Sequence, residues 1–119
     1  MTLSRFELFS PERLDEVVAL LKEKEEDTFV MAGGTDLLIK RRHQFIHPQR
    51  IVRLKKINGL NRISFSAAKG LTIGAMALLG DVAKHRTILK TYPAIAKAAG
   101  NTANVQIRNM GTVVGNLCN

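Results

Sequence analysis

The chain of 119 residues is long enough for one domain at most, and its 45% hydrophobic and 24% charged content is that of an ordinary globular protein with a modest core. No apolar run approaches the roughly 18 residues needed to cross a bilayer, and Glu7, Glu12, Asp15 and Glu16 interrupt any secretory leader, so the chain reads as intracellular. A single cysteine, Cys118, excludes an internal disulfide and any metal or iron–sulfur site built from this chain's thiols alone, while the net charge of +8 favours an anionic ligand, an acidic partner or nucleic acid.

Arg5 to Phe9 is a short extended run, and Ser10-Pro11 predicts an N-cap with proline at the first helical position. Leu14, Val17, Val18, Leu20 and Leu21 form an apolar stripe at helical spacing, followed by a solvated exit from Lys22 to Glu26. Thr28 to Ala32 is short, apolar and partly branched, as a buried parallel strand is, so a βαβ unit closed by Gly33-Gly34 is expected. Leu37 to Arg42 predicts one or two helical turns, Pro48 ends whatever precedes it, and Arg50 to Leu54 reads as another strand. Ile63 and Phe65 alternate with serines, an "AAKG" turn follows, and Leu71 and Ile73 alternate with Thr72 and Gly74, which is a hairpin pattern. Leu78 to Ala99 is helical again, broken near Tyr92-Pro93 and stopped by Gly100-Asn101. The last stretch, Asn104 to Asn116, is expected as a second glycine-containing apolar strand. The whole is a mixed α+β or α/β chain without repeats or low-complexity tracts.

Two segments carry candidate chemistry. In "MAGGTDLLIK" a strand runs into Ala32-Gly33-Gly34-Thr35-Asp36 and then a short helix, which presents successive N–H groups to one point, the geometry that binds phosphate oxygens. Thr35 adds a hydroxyl, and Asp36 is expected to cap the turn at Leu37. Taken alone, the motif reads first as a tight structural turn, since short glycine motifs recur by accident. A second segment, "IRNMGTVVGN", again joins glycines (Gly111, Gly115) to Thr112 and amide side chains, and a dinucleotide's pyrophosphate is long enough to engage both. Arg108 supplies a cation there, and Asn109 and Asn116 offer amides for loop closure or flavin edges.

Together, "AGGTDLL", "LTIGAMALLGDV" (Leu71 to Val82) and "QIRNMGTVVGNLCN" resemble the N-terminal part of the FAD-binding subunit of molybdenum hydroxylases. That family includes the medium subunits of xanthine dehydrogenase, carbon monoxide dehydrogenase and 4-hydroxybenzoyl-CoA reductase. The resemblance covers essentially the whole chain. It implies an α+β FAD-binding fold with an N-terminal βαβ subdomain (1–58) and part of a second α/β subdomain (59–119). It also implies that Val30, Met31, Ala32, Gly33, Gly34, Thr35, Asp36 and Leu37, with Thr112, Val113, Val114, Gly115 and Asn116, hold the FAD pyrophosphate and adjoining flavin or ribose groups. The family usually has two glycines before the final asparagine; here Val114 stands at the first. Family subunits also continue well past Asn119, so the chain reads as a truncated piece, a short protein whose remainder is encoded separately and supplied in trans, or a remnant, and the surface that remainder would cover predicts self-association. Expected partners are a molybdopterin-binding large subunit and a small subunit carrying [2Fe–2S] clusters, in the cytoplasm. The alternative is a truncated, non-catalytic interaction module that does not bind FAD.

Other candidates point elsewhere. His43 and His47 at i, i+4 could share a helical face as metal ligands, but no third ligand is visible and Pro48 follows. Cys118 reads as a half-buried thiol. The basic groups Lys40-Arg41-Arg42 and Lys55-Lys56 have only Phe45 as a nearby aromatic, so a solvated face or a docking surface for an acidic subunit is expected before nucleic-acid binding. No Ser–His–Asp or paired-carboxylate spacing supports hydrolytic catalysis.

Overall fold

In the computed structural model, which describes residues 4–119, the N-terminal extended run becomes strand β1 (Glu7–Phe9) and the apolar stripe becomes helix α1 (Leu14–Glu23). Strand β2 (Thr28–Met31), helix α2 (Leu37–Arg42) and strand β3 (Arg50–Arg53) follow, and a 3-10 turn (Leu54–Lys56) closes the segment. The chain divides into two compact units, Met1–Asn58 and Gly59–Asn119.

The first unit is built on a parallel sheet of order β1-β3-β2, with Leu8, Ile51 and Phe29 aligned across it and Phe9, Val52 and Val30 beside them. The predicted βαβ unit is present, but its two strands leave a gap that β3 fills. Ile51 and Val52 point to opposite faces and are both fully buried, so the central strand is covered on each side. Each such side chain contributes about 1.5–3 kcal/mol of apolar burial. Arg50 donates to the Glu23 carboxylate at 3.1 and 3.3 Å, which places α1 on the face of Arg50 and Val52. Arg41 of α2 stacks over Phe6 at 4.5 Å, on the opposite face with Leu8, Ile51 and Arg53.

Helix α1 starts later than Ser10-Pro11 predicts. Pro11 is buried in extended chain, and Arg13 occupies the N-cap without a side-chain cap bond. The first turn is held instead by its acids: Glu16 accepts the Glu12 N–H at 3.1 Å, and Asp15 accepts from the Arg13 guanidinium at 3.0 and 2.7 Å.

The second unit opens with the predicted hairpin, β4 (Ile63–Ser66) and β5 (Gly70–Ile73), in the register Ile63 to Ile73 and Phe65 to Leu71. Helices α3 (Leu79–Lys84), α4 (Arg86–Thr91), α5 (Pro93–Asn101), α6 (Val105–Arg108) and α7 (Val113–Leu117) complete it. Its core gathers Ala77, Leu79, Val82, Ile88, Ala96 and Ala99, with Ile63, Leu71, Ile73 and Val113 packed against it. Gly74 is fixed by a close approach: a Cβ there would stand 2.1 Å from the Leu60 carbonyl oxygen.

Three expectations are corrected here. The helical stretch breaks at His85 as well as before Pro93, and α5 runs through Gly100 to Asn101, ending where Thr102 turns to extended backbone; Gly100 is at an ordinary helical position that does not stop it. The segment Asn104 to Asn116 is two short helices joined by a turn and an isolated bridge from Leu78 to Thr112, not a strand. Among the described residues no helix is long and apolar enough to cross a membrane.

Candidate functional site

The glycine loop sits where β2 ends. Met31 pairs with Arg53, the chain bends through Ala32 and Gly33, and Gly34 adopts φ +75°, a left-handed conformation that glycine takes without Cβ strain. A Cβ at Gly34 would also lie 3.0 Å from Met31 Sδ and 3.3 Å from Leu38 Cδ1, so the loop folds tightly over the Met31 face. Leu38 N–H donates to the Gly34 carbonyl at 3.2 Å, and α2 begins.

Between these points the main-chain N–H groups of Gly33, Gly34, Thr35, Asp36 and Leu37 find no protein acceptor among the described residues. A run of unpaired donors at the carboxyl end of a parallel strand is suited to an anion, since open parallel sheets bind ligands outside their carboxyl ends. The expected cap is not made: Asp36 occupies the N-cap position of α2, but its exposed carboxylate accepts no cap hydrogen bond. Val30, which precedes the loop, is 42% exposed, and Thr35 and Leu37 are half-buried.

In the second unit the sequence-predicted residues are organised by caps. Asn104 accepts the Ile107 N–H at 2.9 Å to start α6, and Thr112, 2% exposed, accepts the Gly115 N–H at 2.9 Å to start α7. Leu79 N–H donates to the Gly111 carbonyl at 2.9 Å, which ties the turn to α3. Val113 packs on the core and Val114 is half-buried in the first turn of α7. Neither Val114 nor Gly115 lies at positive φ, so the backbone gives no reason for glycine at 114. Arg108 donates to the Thr102 and Ala103 carbonyls, each at 3.0 Å, bracing a turn in which Ala103 has φ +49°. Asn109, whose Oδ1 lies beside Gly80, and Asn116 are exposed. Gly80, Lys84, Gly100, Arg108 and Asn109 line a shallow pocket in this unit.

The remaining candidates resolve simply. His43 and His47 do not share a helical face, because α2 ends at Arg42; both are exposed, and His43 stacks on Phe45. Among the described residues no group of three or more potential metal ligands stands together. Cys118 is exposed at the end of α7, not half-buried. Sequence reasoning missed Arg53. It is half-buried at the carboxyl end of β3, and its Nε is buried without a partner. The signal available was its place as a basic residue closing the apolar run that pairs with the strand feeding the glycine loop.

Residues 4–119 match the family described as FAD binding domain in molybdopterin dehydrogenase. The chain is 34% identical over 113 residues to the nicotinate dehydrogenase FAD-subunit of Eubacterium barkeri, covering 94% of this chain and 38% of that protein. It is 32% identical to the carbon monoxide dehydrogenase medium chain of Hydrogenophaga pseudoflava, covering 95% of this chain and 39% of the relative. A chain in the structure of reconstituted CO dehydrogenase from Oligotropha carboxidovorans superposes with a TM-score of 0.94 at 29% identity, over 100% of this chain and 41% of that one. The present chain therefore spans about two-fifths of the length of the relatives it matches. By this match the chain belongs to the FAD-binding domain family of molybdopterin dehydrogenases.

Proposed function

We propose that the chain is the N-terminal, FAD-holding portion of a molybdenum hydroxylase medium subunit. The observation that carries this reading is the row of main-chain N–H groups from Gly33 to Leu37 without protein acceptors, set beside the left-handed Gly34. These donors would take the pyrophosphate oxygens of FAD, where charge-assisted hydrogen bonds from backbone N–H groups are strong. Val30, Met31, Ala32, Thr35, Asp36 and Leu37 frame that loop. In the second unit Gly111, Thr112, Val113, Val114, Gly115 and Asn116, with Arg108 and Asn109 leading into them, would border flavin or ribose groups; Thr112 shapes the turn through its cap.

FAD held by these loops would supply the electron-carrying chemistry, between [2Fe–2S] clusters on a small partner subunit and an acceptor, with molybdopterin and the substrate on a large partner subunit. This chain's residues bind and orient; none is assigned a bond-making role. The rest of the FAD subunit would cover exposed apolar side chains such as Val105, Met110 and Leu117, and the assembly would reside in the cytoplasm. The family match does not favour the alternative of a module without FAD.

The test is a titration of FAD into the purified chain followed by flavin fluorescence. Saturable binding is expected. Absence of saturation, with the chain folded by circular dichroism, would overturn the proposal.

A further inference from the structure

The first unit holds several arginines, and all but one of the half-buried ones have visible tasks. Arg50 donates to Glu23 at 3.1 and 3.3 Å, lies 3.9 Å from Glu7 and stacks near Phe9. Arg41 stacks over Phe6 and donates to the Ser4 carbonyl. The Arg53 side chain has no ion pair and no hydrogen bond among the described residues, although it is half-buried; its Nε is buried without a partner, as is that of Arg41, but Arg53 has no other contact of the kind that occupies Arg41. Of the Arg53 guanidinium nitrogens only Nε is buried without a partner, so the terminal nitrogens stay free to donate to an anion with no protein carboxylate competing for them.

Its location says where that anion would be. Arg53 is the last residue of β3 and pairs with Met31, the last residue of β2. Side chains of paired residues in a parallel ladder point to one face, and neighbouring strands are about 4.8 Å apart. The glycine loop folds over that same face, since Gly34 packs against Met31 Sδ. The unpaired N–H groups of Gly33 to Leu37 and the unpaired Arg53 guanidinium thus share the carboxyl edge of two adjacent strands.

We infer that Arg53 is a positioning residue that neutralises the phosphate charge of a dinucleotide seated on the glycine loop. The inference rests on the reading of that loop as the FAD pyrophosphate site. Arginine suits the role because its planar fork donates two parallel bonds to phosphate oxygens and stays charged at any working pH.

The experiment is FAD binding by the chain and by Arg53→Gln, Arg53→Met and Arg53→Lys, measured by flavin fluorescence across a salt series, with each fold checked by circular dichroism. Both neutral variants should weaken FAD about 10- to 100-fold, the range for a lost charge-assisted hydrogen bond. They should also flatten the dependence of affinity on salt, because one screened ionic contact is gone. Arg53→Lys should keep the salt slope and recover part of the affinity. A purely structural role would lower affinity and leave the slope unchanged, which overturns the inference. Equal FAD affinity in the parent and a folded neutral variant also overturns it, while the loop reading stands. Failure of the parent chain to bind FAD overturns both. Should Arg53→Gln not fold, Arg53→Met, which keeps an apolar stem, gives the same comparison.

Discussion

Gly33 and Gly34 adjoin in sequence, yet substituting each by alanine should do different things. At Gly34 the left-handed backbone, φ +75°, costs an alanine about 1–2 kcal/mol. The new Cβ would stand 3.0 Å from Met31 Sδ and 3.3 Å from Leu38 Cδ1, both ends of flexible side chains, and moving them off their rotamers adds about 0.5–1.5 kcal/mol. Gly34→Ala should therefore lose about 1.5–3.5 kcal/mol in urea unfolding, with FAD affinity falling as the loop turns away. Gly33 lies outside the left-handed region, so alanine there costs nothing of this kind and can stabilise by about 0.4–1 kcal/mol. If the dinucleotide approaches the bare backbone, Gly33→Ala should still weaken FAD by about 10-fold or more, roughly 1.4 kcal/mol. A Gly34→Ala variant as stable as the parent would refute the conformational argument. A Gly33→Ala variant that binds FAD unchanged would refute the close approach.

Gly74→Ala should be the more damaging glycine substitution: the clash is with the backbone of Leu60 at 2.1 Å, and relieving it breaks the 2.8 Å bonds from Gly74 and Met76 N–H to Arg62 and Leu60. A loss of about 2–5 kcal/mol is expected, and a loss under about 1 kcal/mol in urea unfolding would contradict it. Thr112→Ala removes the cap of α7 and should cost about 1–2 kcal/mol, largely restored by serine; an alanine variant with parental stability would show that the cap is idle. Arg50, by hydrogen bond first and charge second, holds the Glu23 carboxyl below its ordinary 4.5. A carboxyl so lowered stabilises the fold above its unfolded pKa and loses that contribution as pH falls through the folded value. The melting-temperature gap between the parent and Glu23→Gln should thus be present at neutral pH and close below 4.5; a gap independent of pH would exclude the ion pair as its source. Val114→Gly should tighten FAD binding if the ligand passes that atom, and equal affinity would place the ligand elsewhere.

Much of this fold was legible because local chemistry and tertiary packing agree. The alternation of Ile63, Phe65, Leu71 and Ile73 marked the hairpin, though its turn is three residues and not the four of "AAKG", because Gly70 at φ +72° pairs with Ser66 inside β5; paired glycines after a branched apolar run marked the first loop. Strand order was not legible: nothing in Arg50 to Leu54 tells that β3 inserts between β1 and β2, which is a consequence of where the connections leave room. The terminal segment misled for a nameable reason. Val105, Ile107, Val113 and Val114 are β-branched and favour strands, but Asn104 and Thr112 side chains capture N–H groups three residues on and start short helices instead. Helix α1 misled in the opposite way, its Ser-Pro signal being spent in extended chain while Asp15 and Glu16 stabilise the first turn. At the candidate site the loop was readable from glycine spacing, whereas Arg53 became visible only when β3 was found beside β2, because its meaning lies in an unpaired guanidinium and not in a motif.

The central claim is that the loop from Gly33 to Leu37 receives the phosphates of FAD, and amide chemical-shift mapping tests it most directly. In a 15N-labelled chain titrated with FAD, the N–H resonances of Gly33, Gly34, Thr35, Asp36 and Leu37 should move first and furthest, saturating together with flavin fluorescence. Saturable FAD binding that leaves those five amides in place, or no binding at all by a folded chain, would contradict the account.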